Sequence, residues 1–366
     1  MPRFNALHKL DITPELRINA SNLAAIGQFQ HLRMLSIRIA AADCTHLQGS
    51  LQSLTALRLG GRPLHLQSFL AATAPPHLQD LSLFFLHDPS PERLSQCLPT
   101  ILATVPSTLS SLHLESSLVF APALTSAMDV VQPALALRAL TSFTLKFHPL
   151  PSVSDADLTA MLAAWPRLAA LRIPNGRHPA AEPRHPAPPR TRPTAGVLPA
   201  LAARGPLLRE LVLPEVDLGA TPPLDALPPV TATVGHGLRV LDLVSRCGDR
   251  HACMRAAVML DRLFPNMVLP AVRGDVYGEK EEKGWGAVVR LLDAMQAGRK
   301  HAEAFERVWG ERGDGHEGGR ESSSGSGSED EDEAEDEDED GDEGEDEDVG
   351  EDGDGDEDKD IDMGVE

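Results

Sequence analysis

The sequence predicts an α/β solenoid, a stack of strand-plus-helix units followed by a disordered acidic tail. Three observations carry this. One apolar pattern recurs nine times, helical spacings of apolar residues lie between the recurrences, and acidic charge is concentrated beyond Arg312. The pattern is apolar, two variable, apolar, one variable, apolar. It reads Leu7-Leu10-Ile12, Leu32-Leu35-Ile37, Leu54-Leu57-Leu59, Leu78-Leu81-Leu83 and Leu109-Leu112-Leu114. It continues with Leu140-Phe143-Leu145, Leu168-Leu171-Ile173, Leu208-Leu211-Leu213 and Leu238-Leu241-Leu243. Successive central residues are 25, 22, 24, 31, 31, 28, 40 and 30 apart.

The last two apolar residues of each triplet are two apart and so point to one face of a short strand. The first, three residues earlier, turns the chain into that strand. Between strands the apolar spacing becomes three and four, as in Leu94, Cys97, Leu98, Ile101 and Leu102, and again in Leu158, Met161, Leu162 and Trp165. A unit this small cannot bury its own apolar face. Stacked units form one continuous core and a curved solenoid, with parallel strands on the concave inner face and helices outside. A composition of 42% hydrophobic but only 4% aromatic residues suits a regular stack better than one large globular core. The competing reading is an all-helical bundle, because short apolar runs separate strand from helix poorly.

Residues 1–273 are read as the solenoid. The interval of 40 holds a proline-rich insertion at 174–196, whose segment Pro174–Pro193 reads PNGRHPAAEPRHPAPPRTRP. Such a segment makes an extended surface loop rather than a packed element. Cys253–Phe264 reads as a helix that Pro265 stops, and Met267-Val268-Leu269 as a degenerate tenth strand. Residues 274–312 are read as a helical cap, with Trp285, Val288, Val289, Leu292, Met295, Ala302, Phe305 and Trp309 on one stripe. An open solenoid end exposes its core and requires such a cover.

Charge divides the chain in the same place. Residues 313–366 hold 29 acidic and two basic side chains, a formal −27; residues 1–312 hold 26 acidic and 31 basic, +5. A block of like charge with almost no apolar residues stays disordered. It attracts basic proteins such as histones in a salt-dependent way and repels nucleic acid. Ser326 and Ser328 each have an acid three residues on, a pattern like acidophilic kinase sites. No apolar run approaches the roughly 18 residues of a spanning helix, and Met1–Leu10 lacks a signal-peptide layout. Cys44, Cys97, Cys247 and Cys253 make no disulfide framework. The expectation is a cytoplasmic or nuclear protein without membrane or direct nucleic-acid binding.

No catalytic constellation stands out. There is no Gly-x-Ser-x-Gly, no Gly-x-x-x-x-Gly-Lys and no His-Glu-x-x-His, and no cofactor or catalytic residue is expected. Cys247, His251 and Cys253 are close but match no zinc-finger spacing, so the preferred reading is a loop whose Cys253 enters a buried helix face. Asp336, Asp338, Asp340, Gly341 and Glu347 fit the calcium-loop string, yet they lack flanking apolar helices; composition alone accounts for them.

The candidate binding residues lie between the strand leucines: Arg38, Arg58, Asp80, His113, Glu115, Thr144, Lys146, Arg172, Glu210 and Asp242. They predict a mixed polar strip on the concave face, cationic towards the middle, suited to protein recognition by charge complementarity.

Two segments resemble a known family. Ser154–Ile173, SDADLTAMLAAWPRLAALRI, is similar to the helix-to-strand unit of leucine-rich repeat proteins of the fungal F-box family, and Leu263–Asn266 followed by a helix like Trp285–Arg299 resembles their C-terminal part. Intervals of 22 to 31 also resemble repeats of the ribonuclease-inhibitor type. The resemblance implies a leucine-rich repeat solenoid that holds substrates for a ubiquitin ligase, with an adaptor as further partner. An F-box is not visible, since six residues precede Leu7 and Thr13-Pro14-Glu15-Leu16 follows a strand. A repeat body with an acidic tail is also the layout of the acidic leucine-rich nuclear phosphoproteins, whose repeats are shorter and more regular. The two functional expectations are therefore a non-enzymatic protein-binding scaffold and, alternatively, a polyanionic chaperone-like factor for basic proteins.

Overall fold

The structure is a computed structural model. It describes residues 6–313 except 13–15, 41–42, 87–90, 117–125, 149, 175–190, 220, 224, 226–235, 247–248 and 269–283. Most of the proline-rich insertion, Cys247 and the acidic tail with Ser326 and Ser328 therefore lie outside the described residues. The chain divides into two units, Met1–Gly310 and Glu311–Glu366, and the described strands all belong to the first.

The first unit is a mixed α/β structure built on an open parallel sheet. Its strands are β1 (Lys9–Asp11), β2 (Arg17–Ile18), β3 (Met34–Ile39), β4 (Ala56–Gly61), β5 (Asp80–Phe85) and β6 (Ser111–Ser116). They continue with β7 (Ser142–Phe147), β8 (Ala170–Arg172), β9 (Glu210–Asp217) and β10 (Val240–Arg246). Nine pair in sequence order, β1-β3-β4-β5-β6-β7-β8-β9-β10, and β2 adds a two-residue pairing to the far end of β3. All these pairings are parallel. A bundle of helices alone is thereby excluded.

The connections carry helices α1 (Ala20–Ile26), α2 (Pro63–Thr73), α3 (Pro91–Ala103), α4 (Met128–Val131), α5 (Asp155–Ala164) and α6 (Val197–Arg204). The last two are α7 (Arg250–Leu263) and α8 (Trp285–Gly313). Their starts follow capping chemistry. Asn19 and Asp249 accept hydrogen bonds from the amides of Asn22 and Ala252, and Ser154 with Asp157 forms a reciprocal capping box on α5.

The register aligns the apolar triplets. Leu10, Leu35, Leu57, Leu81, Leu112, Phe143, Leu171, Leu211 and Leu241 stand opposite one another from strand to strand. From Leu35 onward each is at most 2% exposed, whereas Leu10, on the edge strand, is only partly buried. Every side chain in the row leaves water on the same face, which supplies most of the drive to stack.

Hydrogen bonds tie each strand start to the one before. The carbonyls of His8, Arg33, Thr55, Gln79, Ser110, Thr141, Ala169 and Arg209 each accept two consecutive amides of the next strand, at 2.7–3.0 Å. Arg33 and Met34, for example, both donate to His8. Each shared carbonyl belongs to the first variable residue after the leading leucine, so one position both donates backwards and accepts forwards. In seven triplets that leading leucine closes a turn by donating its amide to the carbonyl three residues earlier, at 2.9–3.4 Å. Leu238 differs: its amide donates to Nδ1 of His236 at 3.1 Å.

Four sequence expectations need revision. Met267 and Val268 lie in no strand, although Val268 donates to Arg239 as a further strand would, and Leu269 lies outside the described residues. Of the described side chains in the stripe on α8, Val288, Val289 and Leu292 are buried, while Ala302 is exposed and Phe305 is 63% exposed; Trp309 lies outside the described side chains. Past Met295 the helix is held by polar contacts instead, Gln296 to the Met267 carbonyl and Arg299 to Asp261. Thr144 is covered although it lies on the polar face. Cys253 enters the buried face of α7 as expected, but it is disulfide-bonded, while Cys44 and Cys97 are buried free thiols.

Candidate functional site

Alternation along a strand sends every second side chain away from the helices. The open face of the sheet therefore carries residues in three registered rows. The central row runs Asp11, Ser36, Arg58, Ser82, His113, Thr144, Arg172, Val212 and Asp242. A second row, nearer the strand starts, includes Asp80 and Glu210, and a third, nearer the strand ends, runs Arg38, Gly60, Phe84, Glu115 and Lys146. The sheet thus gathers Arg38, Arg58, Asp80, His113, Glu115, Lys146, Arg172, Glu210 and Asp242 on one face.

The electrostatics differ from an open strip of cations. Lys146 donates to Glu115 at 2.8 Å, and His113 lies 3.1 Å from the other oxygen of the same carboxylate. Burial pushes the Glu115 carboxyl up, but those two hydrogen bonds outweigh it and hold the group below the usual carboxylate range. Arg172 and Glu210 form a two-point ion pair, with Nε donating at 2.5 Å and Nη2 donating to the second oxygen. That pair, led by its hydrogen bonds, raises the Arg172 guanidinium above its ordinary range. The cations of the middle strands are thus neutralised by their neighbours. Asp242, read as part of the polar strip, is half-buried, and burial raises its carboxyl.

Arg58 is in a different state. It is exposed, its guanidinium carbon lies 4.5 Å from the Phe84 ring centroid, and no carboxylate pairs with it among the described residues. His113 flanks Phe84 with centroids 5.6 Å apart. The array Arg58, Phe84, His113, Glu115, Lys146 then runs unbroken across β4 to β7. Phe84 escaped the sequence reading because it sits in the run Leu83-Phe84-Phe85. Counting two on from Leu81 and Leu83 would have sent Phe85 inward and Phe84 out.

Beside this array a cleft of about 560 Å³ opens over β3 to β5, with Arg38, Arg58, Gly60 and Phe84 among its walls. Among the described residues no three His, Cys, Asp or Glu side chains group as metal ligands. No described helix is long and apolar enough to cross a membrane. No protein-family model matches the sequence, and comparison with curated proteins finds no match either.

Proposed function

We propose that this chain is a leucine-rich repeat solenoid that works as a non-enzymatic protein-binding scaffold, with the polar face of its sheet as the capture surface. The observation that carries the reading is the coincidence of two periodicities. The same triplets that register the buried leucines also register three rows of polar and aromatic side chains on the opposite face. An array of ion pairs, an exposed arginine and an aromatic ring suits recognition of a protein surface by contact and charge complementarity. By its resemblance to fungal F-box proteins the natural partner is a substrate handed to a ubiquitin ligase, in the cytoplasm or nucleus.

The second reading rests on the formal −27 of residues 313–366, which suits capture of basic proteins. One experiment separates the two. The tagged chain is isolated from its own cells at physiological salt in three forms: complete, lacking residues 313–366, and with Arg38, Arg58 and Arg172 all changed to Glu. Partners lost only from the triple variant support the face. Partners lost only with the tail make the polyanion the working part and overturn the scaffold reading. A ligase adaptor retained by all three forms would support the receptor role.

A further inference from the structure

The cleft over β3 to β5 owes its existence to a missing side chain. Arg38, Gly60 and Phe84 occupy one registered row, and Gly60 contributes nothing above the backbone between its two large neighbours. A Cβ built there would meet the Leu86 side chain at 3.2 Å, tighter than ordinary contact, and Arg38 at 3.7 Å, so any side chain at this position would crowd Leu86 and Arg38 at the cleft wall. The lining mixes apolar Ile12, Phe84 and Leu86 with charged Asp11, Arg38 and Arg58. Arg58 is oriented by the Phe84 ring, which covers one face of the guanidinium and leaves its N–H edge able to donate. A stacked arginine loses less side-chain freedom when it grips a ligand than an unsupported one does.

The charge balance selects among anions. Arg38 and Arg58 line the cleft against a single carboxylate, Asp11, so its charged residues sum to a formal +1. A ligand that matches this lining carries a single negative charge. We propose that the cleft binds an extended peptide segment of the protein partner through an apolar side chain followed by an acidic one. The apolar group lies over Gly60, and the carboxylate takes hydrogen bonds from the N–H edge of Arg58. This rests on the reading of the polar face as a protein-capture surface and assigns the chemistry of its ligand.

The test is a random 12-residue peptide library displayed on phage, panned against the full chain and, in parallel, against Arg58→Gln and Arg172→Gln. Scoring by difference removes whatever the acidic tail captures, because all three proteins share it. Arg58 is exposed, so its loss leaves the core intact, and circular dichroism of each variant checks this. The expected result is a set of peptides with an apolar–acidic pair, retained by wild type and Arg172→Gln and depleted at least tenfold by Arg58→Gln. The best of them should weaken about tenfold when its acid is replaced by the amide. Equal retention by Arg58→Gln, or indifference to the amide, overturns the proposal. Tenfold tighter binding with phosphoserine in place of the acid overturns the preference for a single charge. Peptides lost on Arg172→Gln but kept on Arg58→Gln would overturn the cleft while sustaining the capture face; a library insensitive to both would count against the face as well.

Discussion

His236 shows how one side chain can substitute for backbone. In seven other triplets a carbonyl accepts the leading leucine's amide, whereas at Leu238 the imidazole does so. An amide can only donate, so Nδ1 is the acceptor and Nε2–H is the donor to the Gly205 carbonyl, 3.1 Å away. The ring is thus neutral, buried, and packed edge-on to Phe264 with centroids 5.0 Å apart. Burial lowers its pKa, and the hydrogen bond to Gly205 offsets this only in part. The unfolded chain, titrating at about 6.5, takes up the proton first as pH falls. Stability is therefore fully present above that value and declines as pH drops towards the folded value, at up to about 1.4 kcal/mol per pH unit. His236→Asn retains an acceptor for the amide two residues on without titrating. Urea midpoints at pH 7.5 and 5.5 should fall further for wild type than for His236→Asn; equal falls would show that this ring does not titrate on unfolding.

At the scale of elements, α5 offers the cleanest test of local determination. Ser154 accepts from the Asp157 amide at 3.2 Å, and Asp157 accepts from the Ser154 amide at 2.8 Å. Ser154→Ala should cost about 1 kcal/mol, read as a lower urea midpoint, and Ser154→Asn should restore most of it. The neighbouring Asp155 accepts from both the amide and the hydroxyl of Thr194, which ties the helix to the chain beyond the proline-rich segment. Helices such as α3 and α5 were legible because their apolar spacings change from two to three and four. The strands were legible because each triplet fixes which two residues share a face. Strand β2 was not, since two residues carry no period, and it exists only through pairing with β3. The partners on the open face were equally hidden. Glu115 and Lys146 are 31 residues apart, and Arg172 and Glu210 are 38 apart; only the register brings them together. The second half of α8 misled because helical spacing shows which residues share a stripe, not how far a surface extends to cover it.

For the whole molecule, the register implies that a complete interval can be removed. Leu81, Leu112 and Phe143 are evenly spaced at 31 residues. Excising residues 112–142 joins Ser111 to Phe143 and presents the strand of β7 directly to β5 with every buried row preserved. This protein should keep its helix and strand signal by circular dichroism and unfold cooperatively at a lower Tm, because one nearest-neighbour interface is lost. Excising residues 112–127 alone should abolish cooperative unfolding; two indistinguishable melting curves would argue against a modular stack. The eight carbonyls that each hold two amides have a mechanical consequence as well. Tension applied between the two ends of the sheet would act on these paired bonds one interval at a time, because each joins only adjacent strands. The molecule should lengthen under force in a series of rips rather than in a single rupture. A 31-residue interval would release about 100 Å of extended chain per step. Such a protein would yield as a ratcheted extensible tether, giving up length while the intervals not yet opened stay folded.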